Sequence, residues 1–197
     1  MNFLLLAIAI LSSSLIGIEV IFVRLLEIIQ FAELSSLIVS LSLLGFGYSG
    51  VFCYLLKKKL TINSQKFIFL NLILYSLSLV LSFSTTQYLA FNPLEILWNP
   101  SQVLYLSFEI IIISLPFFFG SNIILEFLST KKKISHRIYG SDLIGAGIGS
   151  ITALLIINFL QPNYYLFALI IFSLIISLLF CFYFKIKKSS YLKLFLF

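Results

Sequence analysis

The sequence predicts an all-α fold, a polytopic membrane helix bundle of about six transmembrane helices with both termini cytoplasmic. Three observations predict it. First, 61% of the 197 residues are hydrophobic and only 10% are charged, with a mean hydropathy of +1.14. A soluble domain has too little polar surface at that composition to cover its core. Second, apolar runs recur at about 20 residues, the length that crosses a hydrocarbon layer. Runs such as Ile110–Phe119 and Leu166–Phe184 are continuous, whereas the strands of a membrane β-barrel alternate apolar and polar residues.

Third, the net charge of +6 is concentrated in three clusters: Lys57, Lys58, Lys59 and Lys66; Lys131, Lys132, Lys133 and Arg137; Lys185, Lys187, Lys188 and Lys193. Each lies between or after apolar runs, where cytoplasmic loops carry Lys and Arg. The charge therefore reads as a topology signal and not as a nucleic-acid surface, and it suits a multi-pass membrane protein with these loops on the cytoplasmic side. Cys53 and Cys181 fall near cytoplasmic helix ends, where a reducing compartment argues against a disulfide. One His and two Cys give no metal-ligand pattern, and no cofactor is expected.

The first helix is expected over roughly 3–29. It has no basic leader and carries Glu19 and Arg24, so it reads as a retained span and not a cleavable signal. Ala9, Ser13 and Gly17 recur every four residues, a small-residue face that admits a second backbone. Two readings of the charges stay open. Arg24 pairs with Glu27 one turn on, or Glu19 and Arg24 line a cavity open to the outside, since acids within membrane helices are costly.

The second helix, roughly 34–56, opens on serines and carries Gly45, Gly47 and Gly50 in GFGYSG. Phosphate-cradling glycine loops follow strands and open helices; this run lies inside an apolar helix, so close packing is expected of it. The third helix spans roughly 67–83. Segment 84–102 holds Asn92-Pro93, Asn99-Pro100 and the only Trp, turn signals that predict a short interfacial segment at the outer surface.

The fourth helix, roughly 103–128, places Glu109, Pro116 and Gly120 on one face. Its mid-helix proline frees a carbonyl that neighbours or water must satisfy. Glu126 is expected to snorkel toward Lys131–Lys133. The fifth helix, roughly 139–159, has the densest small-residue stripe, Ser141, Gly145, Gly149 and Ala153, which predicts a place at the bundle centre. Asp142 on the neighbouring stripe is either a first-turn acid favoured by the helix dipole and near Arg137, or an acid that touches a substrate or partner. After Gln161-Pro162-Asn163, a uniformly apolar sixth helix over roughly 164–184 is expected to face lipid, with the basic tail along the membrane surface.

Two stretches carry a family resemblance: EVIFVRLL at Glu19–Leu26 with LLGFGYSG at Leu43–Gly50, and IYGSDLIGAGIGS at Ile138–Ser150. Together they resemble the N-terminal membrane domain of bacterial spermidine-synthase-like proteins, in which a helix bundle precedes an aminopropyltransferase domain. Glu19, Arg24, Leu25, Leu26, Tyr139, Asp142, Leu143, Gly145, Ala146 and Gly149 match that pattern, in helix order along the whole chain. The sequence holds no stretch able to fold as the soluble Rossmann-like domain. The resemblance therefore implies the membrane module alone, anchoring or serving a cytoplasmic aminopropyltransferase-like partner and not catalytic itself.

A second function class is a small permease for a cationic solute such as a polyamine, with Glu19, Arg24, Glu109 and Asp142 as the polar groups and a homodimer to supply enough helices. A membrane-embedded enzyme is disfavoured, because no nucleophile or general base has a positioned partner. The permease reading requires Glu19 and Glu109 to share an outer cavity on neighbouring first and fourth helices, with Glu126 and Asp142 in the inner half.

Overall fold

The computed structural model describes residues 2–29, 32–60, 63–89 and 92–159, together with Tyr164, Ile171, Ile175 and Ile176. Five helices account for nearly all of it: α1 (Asn2–Ile29), α2 (Ala32–Leu60), α3 (Ser64–Tyr88), α4 (Ser101–Thr130) and α5 (Ser135–Phe159). Short 3-10 turns occupy Pro93–Glu95 and Lys132–Ile134. Among the described residues there is no strand. All five helices are long and apolar enough to cross a membrane; the 28 residues of α1 run about 42 Å at 1.5 Å per residue. Apart from Tyr164, Ile171, Ile175 and Ile176, the expected sixth helix lies outside the described residues, as do the turn before it, Cys181 and the basic tail.

Helices α3 and α4 extend past their expected apolar cores, and hydroxyl side chains bond back to the preceding turn at their C-terminal ends. Ser, Thr and Asn usually compete with helix by bonding nearby backbone. Here their side chains bond back to carbonyls of their own helix, so the polar flanks stay helical. Asn63 caps α3 by accepting from the Gln65 amide at 3.2 Å. At the other end Thr85 donates to the Leu81 carbonyl at 2.7 Å and Thr86 to that of Phe83 at 2.8 Å. Residues 84–88, expected in the outer interfacial segment, therefore complete α3. What remains of that segment is a polar knot: Asn92 donates to Glu95 at 3.0 Å and Gln102 to Glu95 at 3.2 Å. From it Leu97 and Trp98 project, 84% and 75% exposed, as groups seeking a membrane interface do.

The register of the contacts gives the topology. Ser141 donates to the Leu5 carbonyl, Gly145 lies on Ala9 and Gly149 on Ser13, so α1 and α5 run parallel. Gly120 lies under Leu15 while Leu26 and Glu109 share one gap, so α1 and α4 are antiparallel. Asn63 and Gln65 flank a surface pocket with Thr130 and Lys131, which puts two of the basic clusters at one end of the bundle. Arg24, Glu27 and Glu95 lie at the other.

At the centre of the described bundle is α1, and this corrects the expectation for α5. Ala7, Ile8, Leu11, Leu15, Phe22 and Leu25 on α1 are essentially unexposed. On α5 the buried positions are Ile138, Gly145, Gly149 and Ala153. The small-residue stripe does make the closest backbone approach in the molecule, but onto one helix; Tyr139, Ile144, Ile148 and Ile151 on its other faces are exposed. Small residues specify how near a helix comes to one neighbour, not how many neighbours it has.

Polar pairs fasten the remaining helices. Ser14 of α1 meets Tyr75 of α3 at 2.5 Å. Asn122 of α4 donates to Asn71 of α3 at 3.0 Å, and its own carbonyl oxygen lies 3.5 Å from the Cys53 thiol of α2. Such bonds between membrane helices contribute about 0.6 kcal/mol each on average.

Candidate functional site

The α1–α5 seam positions one acid. Because residues 145 and 149 have no side chain, the two backbones lie against each other: a Cβ built on Gly145 falls 2.7 Å from Ala9 Cα, and one on Gly149 falls 2.7 Å from Ser13 Cα. Gly17 continues the α1 side of the seam, 3.6 Å from the Gly149 carbonyl by the same construction. This approach carries Asp142, on the flanking stripe, to Ser12 of α1. The Ser12 hydroxyl, 3.0 Å from its own Ile8 carbonyl, also reaches Asp142 Oδ1.

Asp142 opens onto a cavity of about 240 Å³ at the junction of α1, α2, α4 and α5. Its polar wall is Asp142, Ser12, Ser49, Ser121 and, at the exposed rim, Tyr139. The rest is aliphatic or aromatic, including Leu15, Phe46, Ile124 and Leu128. Ser49 donates to the Phe46 carbonyl at 2.7 Å and Ser121 to that of Phe117 at 2.7 Å. Each hydroxyl proton is thereby engaged, leaving oxygen lone pairs for a donor. Among the described residues no cation pairs with Asp142. A carboxylate held in an apolar wall by one hydroxyl is under-compensated, and the complement of this wall is a positively charged donor.

The other candidate residues lie elsewhere. Arg24 donates to Glu27 at 3.0 Å, with the side chains 52% and 34% exposed; of the two readings of these charges, the structure has the Arg24–Glu27 pair. Glu19 is half-buried beside the Ser42 hydroxyl of α2. Glu109 is 2% exposed and lines a gap of about 10 Å³ with Leu26, Leu37, Leu41 and Ile113. That is at the lower limit for holding one water, and Glu19 is not part of its wall. α1 and α4 are neighbours as expected, but Leu26, not Glu19, is level with Glu109. Glu19 lies seven residues, or roughly 10 Å, deeper. Glu126 is 1% exposed rather than snorkelling outward, since α4 continues as helix to Thr130 and keeps it within the bundle.

Of the glycines in α2, Gly45 packs hard on α4, its built Cβ being 2.8 Å from Phe117 Cβ and 2.9 Å from the Ser114 carbonyl oxygen. Gly47 and Gly50 have nothing within 4 Å. Ser12, Ser49 and Ser121 are the wall residues that sequence reasoning did not single out. Tyr139 and Ala146 share a helix face with Asp142, a signal present in the sequence, but three serines on three other helices converge only through interhelix register. Among the described residues no three His, Cys, Asp or Glu side chains gather as metal ligands do. No protein-family model, no curated protein and no solved structure matches the chain.

Proposed function

We propose that this chain is an integral membrane carrier or receptor module that takes a small cationic solute into the cavity at Asp142. The observation that carries the reading is the wall itself: one carboxylate without a cation partner among the described residues, flanked by hydroxyl oxygens whose protons are already spent on their own helices. Acids inside a membrane bundle are expensive and mark substrate or ion pathways. The finer topology belongs to the same proposal: six crossings with the sixth over 164–184, both termini cytoplasmic, in a bacterial cytoplasmic membrane, with a homodimer completing the path.

A second reading, that the module anchors a soluble aminopropyltransferase-like partner, draws on the motif resemblance and on one surface. Lys131, Lys132, Lys133 and Arg137 are exposed on the α4–α5 connection, a basic face suited to an acidic partner. One experiment separates the readings. The tagged protein is purified in mild detergent, and its bound proteins and small molecules are identified by mass spectrometry. A retained organic cation, lost from Asp142→Asn, supports the carrier; a stoichiometric soluble partner, lost when the three lysines are made Gln, supports the anchor.

A further inference from the structure

We infer that the cavity selects a monovalent primary ammonium with a short apolar body, and rejects polyamines and other multiply charged amines. The inference rests on the reading of this cavity as a cation site and narrows what it takes. A primary ammonium presents three N–H donors and no acceptor. The wall offers it one carboxylate and the oxygens of Ser12, Ser49 and Ser121, which are acceptors toward the cavity because Ser49 and Ser121 donate backward along their helices and Ser12 toward Ile8 and Asp142. The volume of about 240 Å³ is below the roughly 300–1,000 Å³ of pockets for drug-sized ligands, so the ligand is small.

The valence limit follows from the rest of the wall. Beyond Asp142 it is built from Leu15, Ile16, Phe46, Ile124, Leu125 and Leu128, with no second carboxylate. Glu126, next to Leu125 in sequence, is not part of it. A second ammonium on a short chain is left against these side chains with its charge uncompensated, which is the costly arrangement for any buried ion. The only charged side chain among the residues that line the cavity is Asp142.

The test is a titration of the full-length protein in neutral lipid nanodiscs, with heat of binding as the readout. The ligands are n-butylammonium, the four-carbon diammonium of the same length, and tetramethylammonium, which has charge but no N–H donor. The expected result is that n-butylammonium binds roughly tenfold or more tightly than either of the others, as a single unpaired charge or a lost set of charged hydrogen bonds requires. Asp142→Asn is expected to abolish that preference. Ser121→Ala, which keeps the carboxylate and the fold, is expected to weaken n-butylammonium severalfold and leave tetramethylammonium unchanged. A diammonium bound as tightly as n-butylammonium overturns the valence limit while leaving Asp142 as a cation site. Tetramethylammonium bound equally well overturns the donor match. If the wild type binds none of the three at millimolar concentration, the cation-site reading falls, and this inference with it.

Discussion

Glu109 and Asp142 are both set into this bundle, and the space beside each decides what it can do. Toward the end of the bundle that holds Arg24 and Glu95, Glu109 is 2% exposed, beside a gap of about 10 Å³ walled by leucine and isoleucine. Toward the end that holds Lys131–Lys133, Asp142 is only part-buried and opens on a cavity of about 240 Å³ with three serines in its wall. Glu109 bears the full desolvation of an acid inside a membrane bundle and the part-buried Asp142 only a share of it. Glu109 resides where no solute fits and is part of the packing; Asp142 has room beside it for a compensating ion. An intramembrane acid therefore becomes a candidate site through the volume and acceptors around it, and not through burial alone.

The largest expected effect is on the seam that builds the Asp142 cavity. Gly149→Leu forces a branched side chain into a position where even a Cβ falls 2.7 Å from Ser13 Cα. Backbone cannot yield as a side-chain tip does, so α5 must move off α1. We expect a loss of about 3 kcal/mol or more, at or beyond the upper end of overpacking costs, read by denaturant titration in mixed micelles. The Ser12–Asp142 contact goes with it, so cation retention is lost too, whereas the Arg24–Glu27 pair at the far end is untouched. A Gly149→Leu protein of unchanged stability breaks the seam as described.

Next comes an attempt to make Glu109 resemble Asp142. Ile113 is 1% exposed and walls the gap beside Glu109. Ile113→Ala is expected to cost about 2–4 kcal/mol through lost burial and the cavity left behind. If space is what separates the two acids, the enlarged gap admits water and Glu109 begins to exchange with solvent, which carboxyl-directed labelling would report. Labelling of Glu109 in the unmodified protein at the rate seen for Asp142 erases the contrast between the halves.

A smaller effect isolates the charge. Asp142→Asn keeps size and hydrogen bonding to Ser12, and is expected to weaken cation binding about tenfold, equivalent to 1.4 kcal/mol. Glu109→Gln is expected to leave that affinity unchanged, because no part of Glu109 lines the Asp142 cavity. Equal losses in the two variants, measured by calorimetry in nanodiscs, refute the assignment of the site to that cavity.

The contrast also marks what the sequence could and could not carry. Helix number and order within 2–159 were legible because runs such as Phe3–Val23 admit no other solution in hydrocarbon. The seam was half-legible: Ala9, Ser13 and Gly17 on one helix and Ser141, Gly145 and Gly149 on another announce close approach. That these stripes meet each other, in parallel and in register, depends on the path of three intervening helices. Glu109 and Asp142 looked alike for the same reason. Each is one acid on an apolar helix, and the leucines around one and the serines around the other come from different helices.

The smallest effect applies the rule of filled against open space to residues with no side chain at all. Gly45 and Gly47 are neighbours in one motif and were expected alike to serve packing. A Cβ on Gly45 falls 2.8 Å from Phe117 Cβ and 2.9 Å from the Ser114 carbonyl oxygen, while one on Gly47 meets nothing within 4 Å. Gly45→Ala must push α2 from α4 by some tenths of an ångström, a cost of about 1–2 kcal/mol at the low end of overpacking. Gly47→Ala meets no such contact and removes a glycine from a helix interior, so a gain of up to about 0.5–1 kcal/mol is expected from backbone entropy. The two changes are chemically identical and two residues apart, so opposite signs in unfolding titrations isolate the interhelix distance as the cause. Equal and unfavourable shifts, by contrast, mean that Gly47 also faces a close neighbour in the membrane, and the open side of α2 is then an interface.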